Sequence, residues 1–286
     1  MTKVIGVIGG SGLYEMEGLK GVKEVKVRTP FGLPSDSYIT GVLDGKKMVF
    51  LPRHGRGHRI LPSEINFKAN IFGMKLLGVE WIISVSAVGS MKEGIEPGHI
   101  VIPDQFFDRT MFRPNSFFGK GIAVHISIAD PVCPTLADLL FNSAREAGAT
   151  VHKGGTYLCI EGPQFSTRGE SRIYRQWGVD VIGMTNIPEA KLAREAEICY
   201  SSIAMVTDYD VWHEKEEDVA IESVLEILKR NVSLAMETIR RTAKKINTNR
   251  TCECATALQN AIITDRKRIP ARLRKSLKPL IGKYIT

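Results

Sequence analysis

The chain has 286 residues, 43% of them hydrophobic and 24% charged, which suits a globular protein with a substantial core. No apolar run approaches the roughly 20 residues needed to cross a bilayer. The N-terminus enters Val4-Ile5-Gly6-Val7-Ile8 at once, too short for a signal peptide and more like a first strand, so a cytoplasmic protein without a membrane partner is expected. The net charge of +8 is unevenly placed: Arg240 to Thr286 carries +11 and the remainder −3. That tail has few aromatics and no nucleic-acid motif, so a solvated or packing role is favoured over nucleic-acid binding.

Strand-like runs alternate with helical patterns, which predicts an α/β fold: one domain with a central mixed β-sheet flanked by helices. Expected strands are Val4–Ile8, Ile39–Leu43, Lys47–Leu51, Trp81–Ser86, His99–Pro103, Gly155–Ile160, Val179–Ile182 and Ser201–Thr207. Asp44-Gly45 between the second and third is a hairpin signal. Helices are expected over Ser63–Leu77, capped by Ser63, then Thr135–Ala147, Arg168–Trp177, Pro188–Glu197 and Glu217–Lys245. Residues 1–246 form the catalytic domain in this reading. Residues 247–286 form a basic helical extension, broken at Pro270 and Pro279.

Cys159 and Cys199 sit in apolar stretches and read as reduced core residues. No Cys/His cluster has structural zinc spacing, and no metal site is expected. Cys252-Glu253-Cys254 reads either as an oxidised or redox-sensitive pair or as two buried thiols.

Several strand ends carry residues suited to chemistry. Gly9-Gly10-Ser11-Gly12 can bring backbone N–H groups and the Ser11 hydroxyl close to a phosphate, although a tight turn accounts for it equally well. It has neither P-loop nor dinucleotide-fold spacing. Arg53 to Arg59 places five cationic or titratable side chains within seven residues, among them Arg53 and His54, either as an oxyanion site or as a solvated basic loop. Ser84-Val85-Ser86-Ala87-Val88-Gly89-Ser90 places small residues where open α/β sheets form a ligand crevice, although a close-packed turn accounts for it equally well. Phe165 could stack on a planar base and Met184 pack on a sugar, or both could be core. Asp208 and Asp210 end an apolar strand. Desolvation and mutual repulsion would raise their pKa values and let a protonated Asp donate to a base nitrogen. Asp210 as a helix N-cap and Asp208 as a loop residue remain alternatives. The set fits phosphorolysis of a purine nucleoside better than hydrolysis.

The segments IGGSGL, LPRHGRGH, SAVGS, CIEGPQFSTRGES, GMTNIPEAKLAREAEICY and AMVTDYDVW resemble the trimeric purine nucleoside phosphorylase family, most closely its 5'-methylthioadenosine branch. The similarity runs from about Val4 to Lys245. It implies conversion of methylthioadenosine and phosphate to adenine and 5-methylthio-ribose-1-phosphate, with adenosine a weaker substrate. It further implies phosphate contacts from Ser11, Arg53, His54, Ser86, Ala87 and Thr185, ribose against Met184, and the purine near Phe165, Asp208 and Asp210. Catalysis would fall to Asp208, Ser11, Arg53 and His54. The 5' substituent would face Val219, Ile221 and Val224, with His125 reaching in from a neighbouring subunit of a homotrimer or homohexamer. Phosphate would be a co-substrate, and no cofactor is expected. One departure is Gly183, where the methylthioadenosine branch usually carries Asn and the oxopurine branch Gly. A 6-oxopurine (inosine/guanosine) nucleoside phosphorylase is the alternative activity. A nucleoside-binding protein without catalysis is the alternative of another class.

Overall fold

The computed structural model describes residues 3–213, 221–246, 250 and 252–285, with side chains described for all of these except 11, 221–226 and 228–230. The chain opens with β1 (Val4–Gly9), followed by a 3-10 turn over Ser11–Tyr14, then β2 (Lys20–Val25), β3 (Tyr38–Leu43) and β4 (Lys46–Pro52). Asp44 and Gly45 both take positive φ, 48° and 79°, as a two-residue hairpin needs, and β3 pairs antiparallel with β4.

A 3-10 turn at Pro62–Glu64 precedes α1 (Phe67–Leu76). The expected cap at Ser63 is replaced by Asn66, whose side chain accepts from the Ala69 N–H at 3.1 Å. The reason is local. The Glu64 carboxylate accepts from the Leu61 N–H at 3.0 Å and closes a separate turn first.

The strand β5 runs from Val79 to Ser90, well past its expected end at Ser86. Next come β6 (Ile100–Ile102), β7 (Gln105–Arg109), α2 (Pro134–Glu146), β8 (Val151–Lys153) and β9 (Thr156–Ile160). The chain continues through α3 (Arg168–Gln176), β10 (Val181–Gly183), α4 (Glu189–Glu195), β11 (Cys199–Asp208) and α5 (Ile221–Lys245). The edge strand β2 and the short strands β7 and β8 are additions to the predicted set.

The sheet is mixed, as expected, and forks along β5. On one side β5 is parallel to β1 as far as Ser84 and then antiparallel to β10 from Gly89. Its other side stays parallel to β11 as far as Gly89. Where β1 has ended and β10 has not begun, one edge of β5 has no strand partner. Residues 85–88 of β5 lie in that gap.

The tail is packed into the protein rather than appended to it. After 3-10 turns at Glu253–Thr256 and Arg266–Arg268 come α6 (Ala271–Ser276) and α7 (Lys278–Ile281). Leu258, Ile269, Leu277, Leu280 and Ile281 join the same apolar cluster as Phe72, Ile187 and Tyr200. Pro270 precedes a helix as expected, but Pro279 lies in the first turn of α7, where a missing N–H costs nothing. Two of the tail's cations pair within the chain: Lys283 with buried Glu197 at 2.6 Å, and Arg250 with Glu80 at 3.2 Å. Among the described residues no helix is long and apolar enough to cross a membrane.

Candidate active site

A cavity of about 410 Å³ opens over the fork. Its floor is Val85–Gly89 of β5. Around it stand Gly10 and Gly12 from the turn after β1, Arg53, His54 and His58 from the loop after β4, Ile182–Thr185 at the end of β10, and Thr207, Asp208 and Asp210 at the end of β11. The volume lies within the range usual for small-molecule sites. Phosphate-type and base-type residues that are far apart in sequence thus face one chamber.

One end is rich in donors. The hydroxyls of Ser86, Tyr157 and Thr185 are buried, and none makes a well-formed hydrogen bond. Ser86 and Thr185 both border the Tyr157 hydroxyl. Buried hydroxyls normally find partners, so three orphans together mark a place where an oxygen-rich ligand completes them. Tyr157 carries no motif and was not predicted. Its only sequence signal is its place in the strand that leads into Glu161-Gly162-Pro163.

Arg53 is 2% exposed and held on several sides. Its guanidinium pairs with Glu189 through Nε (3.0 Å) and Nη2 (3.1 Å). It also donates to Ser84 Oγ and to the carbonyls of Ile8 and Val85. Among the described residues Nη1 donates to the Val85 carbonyl alone, which leaves one N–H there to meet an anion. Glu189 accepts in addition from Ser84 and from the Tyr200 hydroxyl at 2.9 Å. Glu189 was missed because its role is to hold Arg53, and Ser84, at the head of the predicted small-residue segment, shares that role. The only local signal for Glu189 was an acid in the first turn of a short helix, directly after Pro188.

His54 lines the chamber next to Arg53. Burial pushes its pKa down to about 4, so the ring is neutral. Nδ1 lies 2.8 Å from the Ile60 carbonyl and must carry the proton to donate there. Nε2 is therefore an acceptor, suited to the hydroxyl of a protonated phosphate.

At the other end, burial raises the pKa of both Asp208 and Asp210. Asp208 accepts from the Thr207 hydroxyl at 2.7 Å and from the Asp210 N–H at 2.8 Å. Asp210 is 8% exposed, has φ of 53° and accepts from the Ser171 hydroxyl at 2.5 Å. It caps no described helix. Apolar walls come from Val88, Ile182, Met184, Met205 and Val232, while Phe165 lines the open side and is 53% exposed.

Of the predicted residues, Arg53, His54, Ser86, Ala87, Phe165, Met184, Thr185, Asp208 and Asp210 line this one cavity. The Ser11 side chain, Val219 and the side chains of Ile221 and Val224 lie outside the described residues. His125 is not in the chamber. It borders a second cavity with Asp130, Arg194 and Glu253.

The sequence matches the Phosphorylase superfamily over residues 4–244. It is 63% identical to the S-methyl-5'-thioadenosine phosphorylase of Geobacter sulfurreducens, covering all of both chains. Its structure is similar to a methylthioadenosine phosphorylase from an Antarctic soil metagenomic library, with TM-score 0.94 and 46% identity over 98% of this chain and 99% of that one. It is similar too to the methylthioadenosine phosphorylase of Schistosoma mansoni in complex with adenine, with TM-score 0.86 and 35% identity over 92% and 99% of the two chains.

Proposed function

Because this chain belongs to the Phosphorylase superfamily and, within it, to the S-methyl-5'-thioadenosine phosphorylases, we propose that its chamber splits 5'-methylthioadenosine with phosphate. The products are adenine and 5-methylthio-ribose-1-phosphate. The observation that carries the reading is the shared cavity: unfilled hydroxyls and Arg53 at one end, a buried pair of acids at the other.

The proposed chemistry follows from that polarity. As the C1'–N9 bond stretches, its electron pair moves into the purine and positive charge develops on the sugar. Protonated Asp208 donates to N7 of the leaving base, while Asp210, fixed by Ser171, reads the base edge. Phosphate lies on the opposite side of C1', taking hydrogen bonds from Ser86, Thr185, Arg53 and the Ala87 backbone, with Ser11 included on the family likeness, while the buried Tyr157 hydroxyl backs Ser86 and Thr185. There it is both nucleophile and electrostatic partner for the cationic sugar. Neutral His54 accepts the phosphate hydroxyl and orients it. The nucleophile is the co-substrate itself, so the step asks nothing of a cofactor.

Met184 would underlie the ribose and Phe165 would cover the base once ordered by it. The 5' methylthio group would take the apolar side near Val232, with Val219, Ile221 and Val224 assigned there by family likeness. An apolar pocket rejects an added hydroxyl only about 100-fold, so adenosine is expected as a weaker substrate. Turnover of methylthioadenosine, adenosine and inosine under one set of conditions tests this order. Inosine as the best substrate would favour the oxopurine reading.

The working form is proposed to be a homotrimer or homohexamer in the cytoplasm, with His125 serving a neighbour's site. Met111 and Phe112, 73% and 83% exposed, sit beside the Phe165 loop because Glu161 accepts both of their N–H groups. Such an exposed apolar pair suits a second copy of the chain. A fully active monomer by light scattering would refute it.

A further inference from the structure

The fold gathers four of the five cysteines at a place that no step above uses. Cys133 is the residue before α2, and its N–H donates to the Tyr200 carbonyl at 2.8 Å, which fixes it against β11. Cys199 is the first residue of β11. Cys252 and Cys254 come from the tail, at the start of and within the Glu253–Thr256 turn. The four sulfurs all lie within 4.8 Å of one another. None lines the chamber.

We propose that Cys133, Cys199, Cys252 and Cys254 bind one structural zinc ion per chain. Zinc held by four thiolates is tetrahedral with Zn–S near 2.3 Å, so its sulfurs stand about 3.8 Å apart. The four sulfurs are already close to that spacing, and small rotamer adjustments complete it. All five cysteines are free thiols here, Cys252 and Cys254 included. Cys199 and Cys252, with sulfurs 3.3 Å apart, are far from the roughly 2.05 Å of a disulfide. Soft sulfur ligands in a closed tetrahedron select zinc among abundant divalent ions.

The charge balance is also provided for. Four thiols and one Zn²⁺ give a tetrathiolate zinc centre of charge −2 and four released protons, with no change of oxidation state. Arg194 places Nη1 3.7 Å from Cys254 Sγ and is steadied by donating to the Asp130 carbonyl. A cation beside the cluster favours thiolate over thiol. Cys133, Cys199 and Cys254 are buried, whereas Cys252 is partly exposed and offers an entry path. The consequence is mechanical: one ion ties the tail to α2 and β11.

The spacing of these residues explains why the sequence did not reveal the site. Ligands drawn from three distant segments match no short zinc motif, and only the packing of the tail unites them.

The test uses the full chain, purified under nitrogen without reductant or chelator. Elemental analysis should find about one zinc per chain. A mercurial titrating the thiols should release it together with the loss of four of them. Cobalt substitution should give the ligand-field and thiolate charge-transfer bands of a tetrahedral Co²⁺–thiolate site. Cys252→Ser/Cys254→Ser should lose the zinc while keeping methylthioadenosine turnover, and Cys159→Ser should keep the zinc. Three results would overturn the proposal: five titratable thiols that do not retain added zinc, one titratable thiol rising to five only on reduction, or iron in place of zinc. The first two measurements need no variant, so a misfolded variant leaves the test intact.

Discussion

Tyr157 and Gly183 compete for one space: a β-carbon on residue 183 would lie 2.7 Å from Tyr157 Cζ and nearer still to its hydroxyl. Gly183 does not have a positive φ, so the exclusion is one of volume and not of backbone shape. The glycine that departs from the methylthioadenosine branch is thus accounted for by the tyrosine on the neighbouring strand. Gly183→Asn is expected to cost about 1–3 kcal/mol through overpacking. Adding Tyr157→Val should recover much of it. Urea unfolding of the wild type, both single variants and the double variant gives the coupling directly. Additive effects would mean that the two sites are independent, and a selective loss of inosine turnover relative to methylthioadenosine on Gly183→Asn would mean that residue 183 reads the base.

Asp208→Asn is expected to lower kcat/KM for methylthioadenosine by about 10²–10⁴-fold, the usual value of a positioned general acid. Inosine should lose far less, since an amide can donate to N7 and to a 6-oxo group. Burial raises the pKa of Asp208, so its proton persists to higher pH than in an exposed acid. Activity that needs this proton is present below the raised pKa and lost as pH climbs through it. The wild-type pH profile of kcat/KM should therefore show an alkaline limb that the variant lacks. An equal fall for both nucleosides would remove Asp208 from base recognition.

His54 gives an opposite pH signature. Its folded pKa of about 4 lies below the ordinary 6.5, so the unfolded chain binds the extra proton more readily. The stability linked to neutral His54 is complete above pH 6.5 and is lost as pH falls toward 4. Partial solvation reduces its size to about 1–3 kcal/mol. His54→Gln should flatten that part of the stability profile between pH 7.5 and 4.5. A profile unchanged by the substitution would show that the ring titrates normally.

Glu189 is fully buried against Arg53. Removing one partner of such a pair leaves an uncompensated charge and costs about 3–5 kcal/mol. Glu189→Ala should destabilise by that amount and raise the KM for phosphate, because Arg53 loses its fixed position. Glu189→Gln, which keeps two polar atoms, should do less on both counts. A stable Glu189→Ala protein with normal phosphate KM would contradict the positioning role.

These residues also show what the sequence could and could not disclose. Strong local signals located their elements well: Asp44-Gly45 predicted its hairpin, and α2 lies within one residue of its expected bounds at each end. Ser63 misled because an adjacent Glu64 closed its own turn. Strand β2 was invisible because its residues are mostly polar and exposed at the sheet edge. In the site, residues inside motifs such as Arg53 and Asp208 were legible, since Gly-rich and acidic strand ends are unusual. Tyr157 and Glu189 were not, because an orphaned hydroxyl and a buried counter-ion are defined by three-dimensional neighbours. The thiol cluster was hidden for the same reason.

The central claim is that the donor-rich end of the chamber holds the nucleophile, and its most direct test is adenine release from methylthioadenosine with and without inorganic phosphate. Purified protein, freed of phosphate by dialysis, should release adenine only when phosphate is restored, with 5-methylthio-ribose-1-phosphate formed in equal amount. Equal adenine release in phosphate-free buffer, with free methylthioribose as co-product, would make the protein a hydrolase and contradict the account.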